Sequence, residues 1–155
     1  MLFRSIIEFG YCESDADVYQ YDSAEYDCIA WDEITQFPTD YPYRYLFSRL
    51  RTSTALAVRG LVPHVVAGTN PHRTGVAWVK PRWVDIGEWE QPHYVRQELE
   101  DGSTRSVTRV FIPAKMTDNR FVNREAYRAA LSILPDAIRK AMEDGSWDKI
   151  GRAHV

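Results

Sequence analysis

Tyr26-Asp27-Cys28-Ile29-Ala30-Trp31-Asp32-Glu33 is the stretch whose reading decides the fold. Residues 26–31 are apolar, short and stopped by two adjacent acids. That pattern predicts a buried β-strand that delivers Asp32 and Glu33 to its carboxyl end. In open α/β sheets, ligands bind beyond the carboxyl ends of the strands. A hard cation such as Mg2+ wants oxygen ligands, so the first acid can hold it directly or through water. The second acid can orient the water that attacks a γ-phosphate. Two such jobs call for two carboxylates side by side on a rigid strand end, the pattern known as Walker B. Taken alone, the plainer reading is the stronger one: a buried strand surfacing at two solvated acids.

Residues 63–67 (Pro-His-Val-Val-Ala) predict a second buried strand, ended by Gly68 and the turn-forming Asn70-Pro71. If this strand neighbours the first, Thr69 and Asn70 lie beside Asp32 and Glu33. A hydroxyl and an amide there can sense a phosphate or a water by hydrogen bonding. By itself the segment reads as a turn. Between the strands, Thr39 is a suitable N-cap, and Tyr43, Leu46, Phe47 and Leu50 recur at helical spacing, which predicts a helix over about 40–51. Ser48-Arg49-Leu50-Arg51 closes it. These arginines suit transferring phosphate and equally suit the negative end of a helix.

Upstream, residues 4–9 predict a short strand, and 10–25 a tyrosine-rich acidic loop with one helical turn. Downstream, 78–86 look extended. Residues 94–100 and 104–112 alternate around Asp101-Gly102, a strong hairpin signal. From Asn123 the pattern is helical, with Ala126, Tyr127, Ala130, Leu131 and Leu134 on one face. Pro135 interrupts it, and a second helix carrying Ile138 and Met142 closes at Gly145.

The 155 residues correspond to about one domain. At 45% hydrophobic and 26% charged, the chain can bury a core. The net charge of −3 excludes a globally basic nucleic-acid coat. Residues 1–60 hold five Arg against ten acids, a balance of −5, and residues 61–155 are mildly basic at +2. No apolar run is long enough for a membrane span, and Glu8 interrupts Ile6-Ile7 too early for a signal peptide. Cys12 and Cys28 match no disulfide or metal framework, which suits a reducing compartment. His64, His72, His93 and His154 lack ligand spacing, and Trp78, Trp83, Trp89 and Trp147 suit a core better than a stacking platform. None of the eight glycines starts a Gly-x-x-x-x-Gly-Lys-Ser/Thr phosphate cradle, so the acid pair on its own is half a nucleotide site.

Taken in order, the segments from about Glu13 to Asp148 resemble the large terminase subunit of tailed bacteriophages, the ATPase-nuclease that packages DNA into the prohead. The resemblance is carried by Glu25 to Glu33, Ser48-Arg49-Leu50-Arg51, Gly68-Thr69-Asn70-Pro71 and Trp78-Val79-Lys80. It continues through Phe111-Ile112-Pro113-Ala114, Thr117-Asp118-Asn119 and Gly145-Ser146-Trp147-Asp148. Their order and spacing favour the functional readings of the acid pair and of the Asn-Pro turn. The resemblance implies an α/β fold: a partial P-loop NTPase-type sheet with a small hairpin-plus-helix subdomain. Residues 1–77 correspond to the C-terminal half of the ATPase core and 78–149 to the linker subdomain. The P-loop half would precede Met1, and the nuclease carboxylates would follow Val155. Residues 150–155 are what ATC GGA AGA GCA CAC GTC would encode, a match to a widely used sequencing adapter, and are expected to be a non-native tail.

By resemblance, Asp32 is the Mg2+ acid and Glu33 the catalytic carboxylate of an ATP site. Gly68, Thr69 and Asn70 match the segment that couples hydrolysis to movement, where the family often has Ser or Thr at the place of Ala67. Arg49 and Arg51 correspond to a trans-acting finger or a DNA contact. The implied partners are double-stranded DNA, the portal protein, the small terminase subunit and further copies in a homo-oligomeric ring. The implied location is the host cytoplasm, with no membrane contact and no secretion. Another P-loop helicase or translocase, or a non-enzymatic binding module using the hairpin and the Arg-rich helices, are the competing readings.

Overall fold

A computed structural model of the chain describes residues 6–51, 57–98 and 102–147. It is a mixed α/β structure with two small sheets, β1–β2 and β3–β4. The chain divides into two compact units, Met1–Trp31 with Asp40–Val66, and Asp32–Thr39 with Ala67–Val155.

In the first unit, strand β1 (Cys28–Trp31) pairs with β2 (His64–Ala67). A 3-10 helix, Asp15–Tyr21, precedes them and buries Val18. Helix α1 (Tyr41–Phe47) carries Pro42 in its first turn, where the missing N–H costs nothing. Its apolar side buries Pro42, Tyr43 and Leu46. The helix is shorter than the expected 40–51, and Asp40 rather than Thr39 occupies the cap position. Leu50 is drawn out of the helical path into a parallel bridge with Tyr26. Tyr26 N donates to Arg49 O at 3.0 Å, and Arg51 N donates to Tyr26 O at 2.9 Å. The strand expected over 4–9 is absent over its described residues, 6–9, which are irregular and exposed; residues 4 and 5 lie outside the described residues.

Both central strands were expected to be buried, and neither is. In β1 Cys28 and Ala30 are exposed, and in β2 only Val65 is half-buried. A strand is buried on both faces only when layers cover both. Here the sheet is two short strands wide.

In the second unit, residues expected to be extended over 78–86 are helical: α2 (Val76–Val79) runs into a widened π turn, Lys80–Val84. Pro81 supplies the reason. It has no N–H to return to the preceding turn, and the wider loop closes instead through Asp85 N on Lys80 O at 3.0 Å. The turn points Val79 and Val84 inward. Strands β3 (His93–Glu98) and β4 (Thr104–Arg109) form the expected antiparallel hairpin, in register from His93↔Arg109 to Glu98↔Thr104. Of its turn residues, Gly102 takes φ +77° and Asp101 lies outside the described residues. Helix α3 (Arg124–Leu131) is capped by Asn123, whose Oδ1 accepts from Ala126 N. Helix α4 (Asp136–Asp144) follows Pro135 and ends at Gly145 with φ +62°. Leu131, Ala141 and Trp147 are buried, and Phe111 stacks edge-on between Trp89 and Trp147 at 5.3 and 5.7 Å. No helix among the described residues is long and apolar enough to cross a membrane. The six C-terminal residues expected to be non-native lie outside the described residues.

Candidate functional site

The residues just past β1 and just past β2 meet. Ile34 N donates to Gly68 O at 3.2 Å. Glu33 takes a left-handed backbone, φ 50° and ψ 54°, which costs a non-glycine residue about 1 kcal/mol. Its own interactions offset that cost. Asn70 Nδ2 donates to Glu33 Oε1 at 2.7 Å, and Asn70 N points at Oε2 at 3.4 Å. Beyond Glu33 the chain closes one 3-10 turn, Ile34–Gln36, with Gln36 N on Glu33 O at 2.8 Å.

Beneath the carboxylate lies a buried hydroxyl pair. Thr35 is fully buried and Ile34 is 1% exposed. Thr35 Oγ1 lies 2.6 Å from Thr69 Oγ1 and 2.9 Å from Asn70 O, while Thr35 N meets Thr69 Oγ1 at 3.2 Å. Gly75 N donates to Thr35 O at 2.8 Å, and Trp78 Nε1 donates to Phe37 O at 2.8 Å. Gly75 is glycine for space alone: a Cβ there would press on Phe37 O and stand 2.7 Å from Thr35 O.

The structure therefore brings together Glu33, Gly68, Thr69 and Asn70. Asp32 is the exposed residue adjoining Glu33. Arg49 and Arg51 belong to the other unit. There Arg49 Nη1 donates to Asp22 O at 2.6 Å and its guanidinium lies 5.0 Å over the Tyr45 ring. Arg51 pairs with Glu25 at 2.6 Å, an exposed ion pair of little energetic weight. Among the described residues, no group of three or more His, Cys, Asp or Glu side chains is arranged to hold a metal ion.

Two members escaped the reading of the sequence. Thr35 left no local signal, since it stands among polar residues, Glu33 and Gln36, and its hydroxyl partner Thr69 is distant in sequence. The same holds for Gly75, because close backbone approach is not written in local pattern.

Chemically, the arrangement is a carboxylate aimed by an amide. Each carboxylate oxygen has two acceptor positions, so the bonds from Asn70 leave Glu33 capacity for a further donor such as water. Compared with known proteins, the chain matches no family model, no curated protein and no solved structure.

Proposed function

We propose that the chain is the Walker B-to-linker part of a viral DNA-packaging motor ATPase, the large terminase subunit, which couples ATP hydrolysis to DNA translocation into the prohead. The observation that carries this reading is the contact of Asn70 with Glu33 at 2.7 Å. It joins the acid pair to the coupling segment from which hydrolysis would be relayed. In this reading Glu33 orients the attacking water and Asp32 holds Mg2+. An exposed carboxyl at a strand end suits Mg2+, which keeps several waters and takes one or two carboxylates along with phosphate oxygens. Gly68, Thr69 and Asn70 carry the change at Glu33 outward. Arg49 and Arg51 contact phosphate of a neighbouring subunit's nucleotide or of DNA. The finer fold in this proposal is part of a P-loop NTPase-type sheet. The apolar side chains exposed on β1 and β2, Ala30 and Val66 among them, support strands that are covered in the complete protein.

The phosphate cradle, the nuclease, the ring of identical subunits and the partners (duplex DNA, portal and small subunit) belong to that complete protein, acting in the host cytoplasm. DNA contact there is mainly with phosphate, because a packaging motor has to ignore sequence. The test is genetic and then enzymatic. The reading frame is expected to continue upstream into a P-loop and downstream into an acid-rich nuclease. In that complete protein, Glu33→Gln is expected to lower ATP turnover by about 100-fold or more, the range for a positioned general base. The 155-residue chain alone is expected to show no Mg2+-dependent ATPase activity. Turnover by the chain alone that Glu33→Gln abolishes, or a frame flanked by neither domain, overturns the proposal.

A further inference from the structure

We infer that Thr35, rather than the Thr69 singled out by the sequence pattern, is the positioning residue that sets Asn70 against Glu33. For each of the three contacts to be a hydrogen bond, only one arrangement of protons serves. A carbonyl oxygen only accepts, so Thr35 Oγ1 gives its single proton to Asn70 O at 2.9 Å. With that proton committed, the 2.6 Å contact between the two hydroxyls is donated by Thr69 Oγ1. Thr69 Oγ1 in turn accepts from Thr35 N at 3.2 Å. The relay thus runs from Thr35 N–H to the Thr69 hydroxyl, back to the Thr35 hydroxyl, and on to the Asn70 carbonyl. Thr69 holds Thr35, and Thr35 holds Asn70.

Asn70 is the residue whose amide groups meet both oxygens of Glu33. Its carbonyl is fixed by a hydroxyl two positions along the chain from that same carboxylate. Thr35 is fully buried, so no water substitutes for the missing donor once the hydroxyl is gone. Its own backbone is held at both ends, by Thr69 Oγ1 on the N–H and by Gly75 N on the carbonyl. The short turn 33–35 therefore carries both the acid and the group that registers its partner.

The consequence for water orientation rests on the proposed function, but the placement of Asn70 does not, and it is testable without nucleotide. In the 155-residue chain, nitrogen-15 NMR follows solvent exchange of the Asn70 side-chain amide protons, with Glu33→Ala defining the value when the bond is lost. Thr35→Val is expected to speed this exchange about tenfold, the loss of roughly one hydrogen bond, toward the Glu33→Ala value. Thr35→Ser is expected to keep the wild-type value, since it leaves the hydroxyl on Asn70 O, and Thr69→Val to shift it less than Thr35→Val does, since it removes only the bonds that hold Thr35. Should Thr35→Val fail to fold, Thr35→Ala removes the same proton without placing a methyl against the carbonyl. An unchanged Asn70 amide in the Thr35 variant that folds, even with a lowered melting temperature, overturns the inference. So does loss of the bonded value in Thr35→Ser, or a change in Thr69→Val as large as that in Thr35→Val. Failure here leaves the ATPase reading standing, and absence of ATPase in the complete protein leaves this placement standing.

Discussion

The bodies of β1 and β2 and the turns that follow them invert the usual relation between apolarity and burial. The strands are among the most apolar short runs in the chain, yet Cys28, Ala30, Val66 and Ala67 are exposed. The turns look polar, yet Ile34, Thr35, Phe37, Pro71 and Gly75 are buried. A strand's apolar side chains state what it needs from neighbouring layers. They do not supply those layers. A turn whose backbone groups and hydroxyls bond to one another can be buried without leaving polar groups unpaired.

Substitutions on the two sides of that contrast should separate widely. Ile34→Ala empties a fully packed position and should cost about 3 kcal/mol in urea unfolding. Ile29→Ala, on the half-buried strand, should cost about 1 kcal/mol. Equal losses would mean that the strand is as well packed as the turn. Two glycines sharpen the same point. Gly75→Ala forces a methyl onto the Thr35 and Phe37 carbonyls and should cost about 2 kcal/mol. Gly68→Ala meets nothing within 4 Å and should leave the unfolding midpoint almost unchanged. Val66→Thr, on a side chain that is 55% exposed, should change stability by less than about 0.5 kcal/mol.

What could be read from the sequence follows the range of the forces involved. The hairpin was legible because alternation and a turn glycine fix its register locally. The two C-terminal helices were legible because Asn123, Pro135 and Gly145 punctuate them. The neighbourhood of Glu33, Thr69 and Asn70 followed from one assumption, that the two apolar strands lie side by side. The segment 78–86 reads as extended, whereas its residues accommodate the donor that Pro81 lacks by widening a helix. The burial of the strands was misread because apolarity was taken for coverage. Thr35 and Gly75 were missed because both are defined by a partner more than thirty residues away.

A further small effect asks whether burial, and not bond number, makes the turn at 33–37 matter. Asp17 is the half-buried counterpart of Thr35, and its bonds are open to solvent. Its Oδ2 accepts from Glu13 N at 2.8 Å, Ser14 N at 2.7 Å and Ser14 Oγ at 3.1 Å. The backbone donors, Ser14 before Glu13, hold its carboxyl below the ordinary aspartate range. A carboxylate lowered in the folded state stabilises it above the unfolded value, and that contribution is lost as pH falls through the folded value. The urea midpoints of wild type and Asp17→Asn should therefore differ slightly at neutral pH and converge on acidification. Water competes for every one of these bonds, so the difference should stay well below that between wild type and Thr35→Val at any pH. An Asp17 effect as large as the Thr35 one would show that hydrogen-bond count decides stability at these turns. A small one that vanishes in acid assigns the difference to solvent exclusion around Thr35.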